Sequence, residues 1–284
     1  MSFLSVPDTY WAHPERPSGT GVLVLAGSSG RLDTGRADVL ARAGATALAI
    51  RWFGGAGQPA VPREVPLETF VAAIDLLEPV CDRVGVLGLS YGAEAALLTA
   101  VRDGRIDAVV ALAPTDVAWE GYREEDDDPS QGKWTWRGAP VPFVPIDQSW
   151  TPASSPPAFV ESYLQSRRTA DASTVAAATI PVEQFDGELV VVVGGDDQVW
   201  PSHDAAQAIV TRRAAHGLAT TVVEDADAGH LVVLPGEPAT GGGRPYLVGG
   251  DLGSAERLGR KAWPAIQKVF RLHCRRAREM AGLT

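Results

Sequence analysis

The stretch Val84-Gly85-Val86-Leu87-Gly88-Leu89-Ser90-Tyr91-Gly92-Ala93-Glu94 decides the fold predicted for this chain of 284 residues. Its first residues are apolar and typical of a buried strand, and the Ala- and Leu-rich residues that follow it favour a helix. A sharp strand-to-helix turn requires glycine at positions 88 and 92, because side chains there would collide with neighbouring backbone. We therefore interpret the stretch as a nucleophile elbow that presents Ser90, rather than as a glycine-rich surface turn.

The rest of the chain alternates apolar strand-like runs with helical patterns. The runs suited to buried parallel strands lie at 22–26, 46–50, 84–89, 108–112, 189–193 and 220–223. The clearest helical stripe follows Pro66, and the apolar pattern of a last helix at 254–278 is interrupted by Pro264. Alternation of this kind predicts a doubly wound, mostly parallel sheet that binds its ligand at the carboxyl ends of the strands, where Ser90 falls. With the elbow, it predicts an α/β-hydrolase fold in one domain, 1–284.

The alternation stops between residues 114 and 181. Six prolines between positions 140 and 157 disfavour long regular elements there. We interpret 114–181 as a Pro- and Trp-rich, cap-like insertion over the active-site face. Its aromatic residues are expected either to form a small apolar core or to line a pocket: Trp119, Trp134, Trp136, Phe143 and Trp150.

Composition excludes several classes of protein. A net charge of −10 argues against nucleic acid as a partner, because binding to phosphates needs clustered Lys and Arg. The acidic run 120–128 is interpreted as a solvated loop rather than a cation site. Cys81 and Cys274 cannot form a disulfide framework, which favours a reducing, cytoplasmic compartment. The sequence shows neither a signal peptide nor a run long enough to span a membrane.

A serine nucleophile needs a histidine base, and the histidine needs a carboxylate that orients it. In this fold the chain order is serine, acid, histidine. His230, in Ala228-Gly229-His230, lies in a loop after a predicted strand, and we take it as the base rather than as a structural loop histidine. The other histidines precede the sheet or lie on predicted helices: His13, His203, His216 and His273. His273 and Cys274 are adjacent, which is not the spacing of metal ligands, and no metal is expected.

The acid is expected after the strand that precedes His230. Val193-Gly194-Gly195-Asp196-Asp197 places two carboxylates there, and adjacent side chains point in different directions. We choose Asp197, because hydrolases of this type usually place the acid three residues after the glycine that ends the strand. Asp196 is then expected to satisfy backbone groups of the turn.

The first predicted strand ends in Leu25-Ala26-Gly27-Ser28-Ser29-Gly30, where small residues allow the backbone to approach a substrate oxygen. We expect an oxyanion hole formed by the backbone N–H groups of Ser28 and Tyr91. The alternative is a plain strand-to-helix loop.

Together these blocks resemble the catalytic domain of acyl-CoA thioesterases and bile acid-CoA:amino acid N-acyltransferases. The resemblance rests on 88–94, on Gly194-Gly195-Asp196-Asp197-Gln198-Val199-Trp200-Pro201-Ser202, on 228–230, on Gly249-Gly250-Asp251 and on Ala262-Trp263, and it spans residues 21 to 270. The nucleophile of that family is serine in the thioesterases and cysteine in the acyltransferases, so Ser90 favours hydrolysis. The animal members carry a further N-terminal β-sandwich, and the residues before Gly21 are too few to form one.

The resemblance implies cleavage of an acyl-CoA-like thioester through an acyl-serine, without a cofactor. Alternatives with the same triad are hydrolysis of an ester, a lactone or a carrier-protein thioester, or acyl transfer. A non-catalytic ligand-binding protein on the same scaffold is the remaining alternative. Substrate contacts are expected from Ser29, Arg51, Trp136 and Trp200, and Arg31, Arg51 and Arg244 are the candidate partners of CoA phosphates. The oligomeric state stays unassigned.

Overall fold

The computed structural model describes residues 8–123, 129–238 and 245–273. In chain order the strands are β1 (Asp8–Ala12), β2 (Thr20–Leu25), β3 (Thr46–Arg51), β4 (Val65–Pro66), β5 (Arg83–Leu89), β6 (Ile106–Leu112), β7 (Trp134–Trp136), β8 (Ala139–Pro140), β9 (Glu188–Gly194) and β10 (Thr221–Asp225). The α-helices are α1 (Thr34–Arg42), α2 (Glu68–Leu77), α3 (Tyr91–Ala100), α4 (Val160–Thr169), α5 (Ala172–Ala178), α6 (Ser202–Ala214) and α7 (Ser254–Val269). Short 3-10 helices span Glu78–Val80 and Val182–Gln184.

A seven-stranded sheet with the order β1-β3-β2-β5-β6-β9-β10 forms the centre of the molecule. All neighbouring pairs are parallel except β1 with β3, which are antiparallel. The six strands predicted from apolar runs are therefore confirmed as neighbours in one sheet. Strand β1 was not predicted, because its sequence, Asp-Thr-Tyr-Trp-Ala, lacks an apolar run and it lies at the sheet edge.

Side chains that alternate along each strand enter two separate hydrophobic cores. Leu23 and Leu25 of β2 face a core shared with α2, α3 and α6, whereas Val22 and Val24 face a core shared with α1 and α7. Because both faces are covered by helices, the strands are apolar on both sides, as a doubly wound sheet requires. The predicted α/β-hydrolase fold class is confirmed.

The last helix differs from prediction at Pro264 and at its end, because residues 270–273, including His273, follow α7 without helical structure. Helix α2 begins just after Pro66, as expected, and buries Phe70 and Ile74. The predicted interruption of the last helix at Pro264 is wrong, since α7 is continuous from Ser254 to Val269. Pro264 and Arg260 are both exposed, which places the missing helical hydrogen bond on the solvent side of α7. Positions 274–278 of the predicted helix lie outside the described residues.

Residues 113–187, which we call the β6–β9 connection, contain β7, β8, α4 and α5. Strand β7 pairs with β4 and β8 in a second sheet of three short strands. The prolines that disfavoured regular structure precede Val160, and the two helices begin after them. Trp119 and Trp134 are each 1% exposed and pack inside the protein. That the segment 114–181 acts as a cap stays a prediction.

The first residue of the acidic run, Glu120, is not solvated as expected. The carboxylate of Glu120 is buried, accepts a hydrogen bond of 2.6 Å from the backbone N–H of Ile146 and pairs with Arg123. The expectation of a solvated loop is therefore wrong for Glu120, because this carboxylate ties two parts of the connection together. Residues 124–128 lie outside the described residues. Within the described ranges, no helix is both long and apolar enough to cross a membrane.

Candidate active site

Ser90 lies at the tip of the turn between β5 and α3. Its backbone has φ 58° and ψ −121°, a conformation that non-glycine residues rarely adopt and that concentrates at functional sites. The turn is held by its own backbone: the Ser90 N–H donates to the Leu112 carbonyl at 2.9 Å, and the Ser90 carbonyl accepts from Ala93 and Glu94. Hydrogen bonds to β6 and to the first turn of α3 thus hold Ser90 in this strained conformation.

The two glycines of the turn are required by close backbone contacts. A Cβ at Gly88 would lie 2.0 Å from the carbonyl oxygen of Gly92. A Cβ at Gly92 would lie 2.4 Å from the carbonyl oxygen of Leu25 in β2. Neither position accepts a side chain without moving backbone, which is the physical basis of the motif from which the elbow was predicted.

The loop after β2 passes directly beside the Ser90 side chain. A Cβ at Gly27 would lie 3.2 Å from the Ser90 Cβ and 3.7 Å from its Oγ. Ser28 and Ser29 follow, and both are exposed. This placement brings the predicted oxyanion donors, the N–H groups of Ser28 and Tyr91, to the same end of the sheet. Their role as donors to a substrate oxygen stays a prediction.

Asp197 and His230 form a buried hydrogen-bonded pair. Nδ1 of His230 lies 2.9 Å from Oδ2 and 3.1 Å from Oδ1 of Asp197, and the two residues are 4% and 7% exposed, respectively. The backbone N–H of His230 donates to the Val248 carbonyl at 2.7 Å. A carboxylate at Nδ1 fixes the proton there and leaves Nε2 as the basic nitrogen.

The Asp197 carboxylate is itself held by three further donors. Oδ1 accepts from the backbone N–H groups of Val199 at 2.9 Å and Trp200 at 3.3 Å. Oδ2 accepts from the hydroxyl of Ser202 at 2.6 Å, and Ser202 is fully buried. These donors fix the orientation of the carboxylate toward His230.

The adjacent carboxylate of Asp196 points elsewhere. Its Oδ2 accepts from the backbone N–H of Gly250 at 2.7 Å, its Oδ1 accepts from the Gln198 amide at 2.6 Å, and the residue is exposed. Asp196 therefore stabilises the contact between two loops, while Asp197 faces the imidazole. The two adjacent carboxylates therefore point in different directions, and only Asp197 contacts His230.

Trp200 joins the two halves of the site. The residue is 1% exposed, and its ring meets the His230 ring edge to face, with centroids 6.0 Å apart. Its ring centroid is 5.7 Å from that of Tyr91, the residue after Ser90, and its indole N–H donates to the Ala113 carbonyl at 3.1 Å. The side chain of Trp200, which was predicted to touch substrate, thus packs against His230 and Tyr91.

Two other predicted substrate contacts, Arg51 and Trp136, have partners outside this cluster. Arg51, at the end of β3, pairs with Asp8 of β1 at 3.0 Å. Trp136, in β7, is half-buried, and the guanidinium carbon of Arg137 lies 5.5 Å from its ring centroid. Among the contacts of the described residues, none joins Arg51 or Trp136 to Ser90, Asp197 or His230. Arg31 is exposed, and Arg244 lies outside the described residues.

Two groups of residues near the site were not predicted from the sequence. Ser202 ends the motif 194–202, and its hydroxyl donates a hydrogen bond to the catalytic candidate Asp197. Glu94 and Lys133 form a fully buried ion pair behind Tyr91. A signal was present for Glu94, because a charged residue inside an otherwise apolar helix needs a buried partner. In the described part of the chain, no cluster of three or more His, Cys, Asp or Glu side chains is arranged to hold a metal ion.

This chain is similar to known proteins over most of its length. The family model described as BAAT / Acyl-CoA thioester hydrolase C terminal matches residues 65–276. Acyl-coenzyme A amino acid N-acyltransferase 2 from Mus musculus is 28% identical over 266 residues, covering 89% of this chain and 60% of that protein. Acyl-coenzyme A thioesterase 1 from Rattus norvegicus is 27% identical over 257 residues, covering 86% of this chain and 56% of that protein. The chain thus spans less than two thirds of the length of these curated relatives.

Solved structures show the same fold at low sequence identity. A putative dienelactone hydrolase from Klebsiella pneumoniae has a TM-score of 0.54 at 14% identity, with 93% of this chain and 92% of that chain covered. A monoacylglycerol lipase from Paleococcus ferrophilus has a TM-score of 0.52 at 16% identity, with 93% and 98% covered. These likenesses concern the fold alone.

Proposed function

Since this chain belongs to the BAAT / acyl-CoA thioester hydrolase C-terminal family, we propose that it hydrolyses acyl thioesters of the acyl-CoA type through an acyl-serine. The observation that carries the proposal is the buried hydrogen bond of 2.9 Å between Asp197 and His230, at the sheet edge where Ser90 occupies its strained turn. The hydrogen-bonded pair suits a general base, and the strained turn suits a nucleophile. The substrate class is inferred from the relatives, which are named for acyl-CoA N-acyltransfer and acyl-CoA thioester hydrolysis.

In the proposed reaction, Nε2 of His230 takes the hydroxyl proton of Ser90 while Oγ attacks the thioester carbonyl carbon. The backbone N–H groups of Ser28 and Tyr91 stabilise the negative charge on the carbonyl oxygen. The carbon–sulfur bond then breaks, and the thiolate leaves as a thiol with the proton from His230. Throughout, the Asp197 carboxylate stabilises the imidazolium.

Water resolves the acyl-serine in the second half of the reaction. His230 takes a proton from water, the hydroxide adds to the ester carbonyl, and Oγ of Ser90 leaves with the proton returned by the imidazolium. The products are a carboxylic acid and the free enzyme. We propose hydrolysis over acyl transfer because an acyl-serine is an oxygen ester, which amines attack less readily than the thioester formed by a cysteine.

We also propose that the segment 114–181 covers the site within a single domain. This is supported by an apolar cluster that joins the connection to the proposed triad: Val117, Trp119, Val144 and Ala178 pack with Trp200, which contacts His230.

We propose a reducing, cytoplasmic compartment, which fits Cys81, a free thiol among the described residues. Burial raises the pKa of this thiol, which disfavours its reactive thiolate form.

The proposal is tested with a panel of acyl-CoA thioesters of different chain length beside matching oxygen esters. The wild-type protein and Ser90→Ala are compared at equal concentration, with a circular dichroism melt of each. We expect the wild-type protein to prefer thioesters and Ser90→Ala to lose turnover without a loss of fold. Activity on esters alone would retain the triad and discard the thioester, and unchanged turnover in Ser90→Ala would refute the nucleophile. Silence on both substrate classes would favour an unusual acyl donor or a binding role.

A further inference from the structure

A fully buried ion pair lies behind the nucleophile turn. Lys133, just before β7, and Glu94, in α3, have side chains that are 0% exposed, and Nζ lies 2.6 Å from Oε2 of the carboxylate. The proposed reaction uses neither residue. Buried ion pairs seldom stabilise a fold more than apolar residues of the same size would, so the pair calls for a separate explanation.

The Glu94 carboxylate gathers donors from the β6–β9 connection. Besides Lys133, it accepts the backbone N–H of Trp119 at 3.0 Å and the indole N–H of Trp134 at 2.7 Å. All three donors belong to the connection, whereas Glu94 lies four residues after Ser90, in the first turn of α3. The carboxylate therefore fastens the connection to the helix that supports the nucleophile.

The Lys133 ammonium lies over the ring of Tyr91. Nζ is 3.4 Å from the centroid of that ring. The ring centroids of Trp134 and Trp200 are 5.8 and 6.0 Å from Nζ, respectively. A desolvated cation at this distance from an aromatic face is strongly attracted to it. Among the described residues, Glu94 is the only ion-pair partner of Lys133. The ammonium has three N–H groups, so those that do not bond Glu94 are free to interact with the Tyr91 ring.

Tyr91 is held at two further points. Its hydroxyl lies 3.2 Å from the hydroxyl of Tyr163, and its ring packs against that of Trp200 with centroids 5.7 Å apart. Burial, and secondly the neighbouring Tyr91, raises the pKa of Tyr163 well above its ordinary value, so this hydroxyl stays neutral. The side chain of Tyr91 is thus clamped from several directions, and its backbone N–H is the proposed oxyanion donor.

We propose that Lys133, charge-balanced by Glu94, is a positioning residue that sets the Tyr91 N–H of the oxyanion hole through the Tyr91 ring. This inference rests on the proposed function. Displacing a catalytic group by about 1 Å costs on the order of 100-fold in rate. Loss of the clamp therefore lowers kcat by roughly 10- to 100-fold with KM little changed, since the donor acts on charge that develops in the transition state.

The test uses the double variant Glu94→Gln/Lys133→Met, which removes both charges together and leaves no unpaired ion in the interior. Arg213→Met is the matched control. Arg213 is also a buried cation, 1% exposed, but it binds backbone carbonyls such as those of Val182 and Gly187 in another part of the fold. The control is expected to melt at a lower temperature and to keep its kcat, whereas the double variant loses kcat.

A readout that needs no turnover separates this inference from the proposed function. The amide resonance of Tyr91 is compared by NMR in wild-type protein, double variant and control. We expect it to shift or broaden in the double variant alone. An unmoved resonance, or a moved one with wild-type kcat, overturns the positioning role. Absence of turnover in the wild-type protein would refute the proposed function, and the resonance would still decide whether Lys133 positions Tyr91.

If the double variant does not fold, Tyr91→Leu replaces it. This substitution keeps the ion pair and removes the ring through which Lys133 acts. We expect the same loss of kcat with little change in KM. A Tyr91→Leu protein with the kcat of the wild type would overturn the inference.

Discussion

The Asp197 carboxylate, at the end of β9, and the polar groups of the β6–β9 connection take most of their hydrogen-bond partners from different distances along the chain. Asp197 takes its donors from Val199, Trp200 and Ser202, within five residues. In the connection, by contrast, Glu120 bonds Ile146, Lys133 reaches back to Glu94, and Arg167 forms a bidentate pair with Asp116. Apart from its hydrogen bond to His230, the Asp197 carboxylate is therefore held by its own loop, whereas these groups of the connection are held by contacts that only the complete fold creates.

This difference predicts that the chemistry depends on the strand ends and that most of the connection affects stability instead. The exception is the joint at Lys133, where the connection reaches the nucleophile turn. Substitutions of Ser90, Asp197 and His230 are thus expected to change the rate, and substitutions in the connection away from Lys133 and Tyr163 are expected to leave it unchanged.

The largest effect is expected at the acid. Asp197→Asn removes the charge that faces His230 and leaves the imidazole with the wrong tautomer, so we expect kcat to fall by about 10³- to 10⁴-fold. Asp196→Asn keeps an oxygen for the Gly250 N–H and is expected to change kcat less than about threefold. Steady-state kinetics of the two proteins decide the matter. The opposite ranking would exchange the roles of the two carboxylates.

The next effect tests the elbow as a structural unit. Gly88→Ala places a methyl group 2.0 Å from the Gly92 carbonyl oxygen, and we expect it to lower the free energy of unfolding by about 3 kcal/mol or more. Gly104→Ala is the control, because nothing lies within 4 Å of its Cβ position, and it is expected to be neutral or slightly stabilising. Urea denaturation of both proteins measures the difference. Equal stability would show that the turn accommodates a side chain.

A smaller effect is expected at Ser202. Ser202→Ala deletes the 2.6 Å hydrogen bond to Oδ2 of Asp197, and we expect kcat to fall by roughly 10-fold, with KM little changed. Ser254→Ala also deletes a buried hydroxyl, which here donates to the Asp251 carbonyl at 2.7 Å, and it is expected to leave kcat unchanged. If both variants lost rate equally, the Ser202 effect would be ascribed to general destabilisation.

The smallest effect concerns the connection at acid pH. Hydrogen bonds from Gln165 and Ser149 lower the pKa of Asp147 to about 2. Because the folded pKa lies below the unfolded value of about 3.9, this contribution to stability is present above pH 4 and is lost as the pH falls toward 2. Asp147→Asn is expected to unfold with a weaker pH dependence over this window and to keep its kcat at neutral pH. The measurement is the urea midpoint of the wild-type protein and of Asp147→Asn at pH 4.5 and at pH 2.5. An equal fall in midpoint in the two proteins would contradict the prediction.

The same difference in contact range explains what the sequence predicted. The strands and α2 follow from apolar periodicity, and Ser90, Asp197 and His230 follow from motifs whose geometry is local. Lys133 could not be assigned, because its partner Glu94 is 39 positions away and nothing near Lys133 in the sequence indicates a buried ammonium. The expected break at Pro264 was wrong because a proline is tolerated where the missing helical hydrogen bond lies on the solvent side of the helix.

The catalytic assignment is tested most directly by covalent labelling. The protein is treated with a fluorophosphonate, which reacts with activated serines, and the intact protein and its peptides are analysed by mass spectrometry. We expect a single adduct on Ser90 in the wild-type protein, a much slower reaction in Asp197→Asn and none in Ser90→Ala. An adduct on another residue, or none on the wild-type protein, would contradict the assignment of Ser90 as an activated nucleophile.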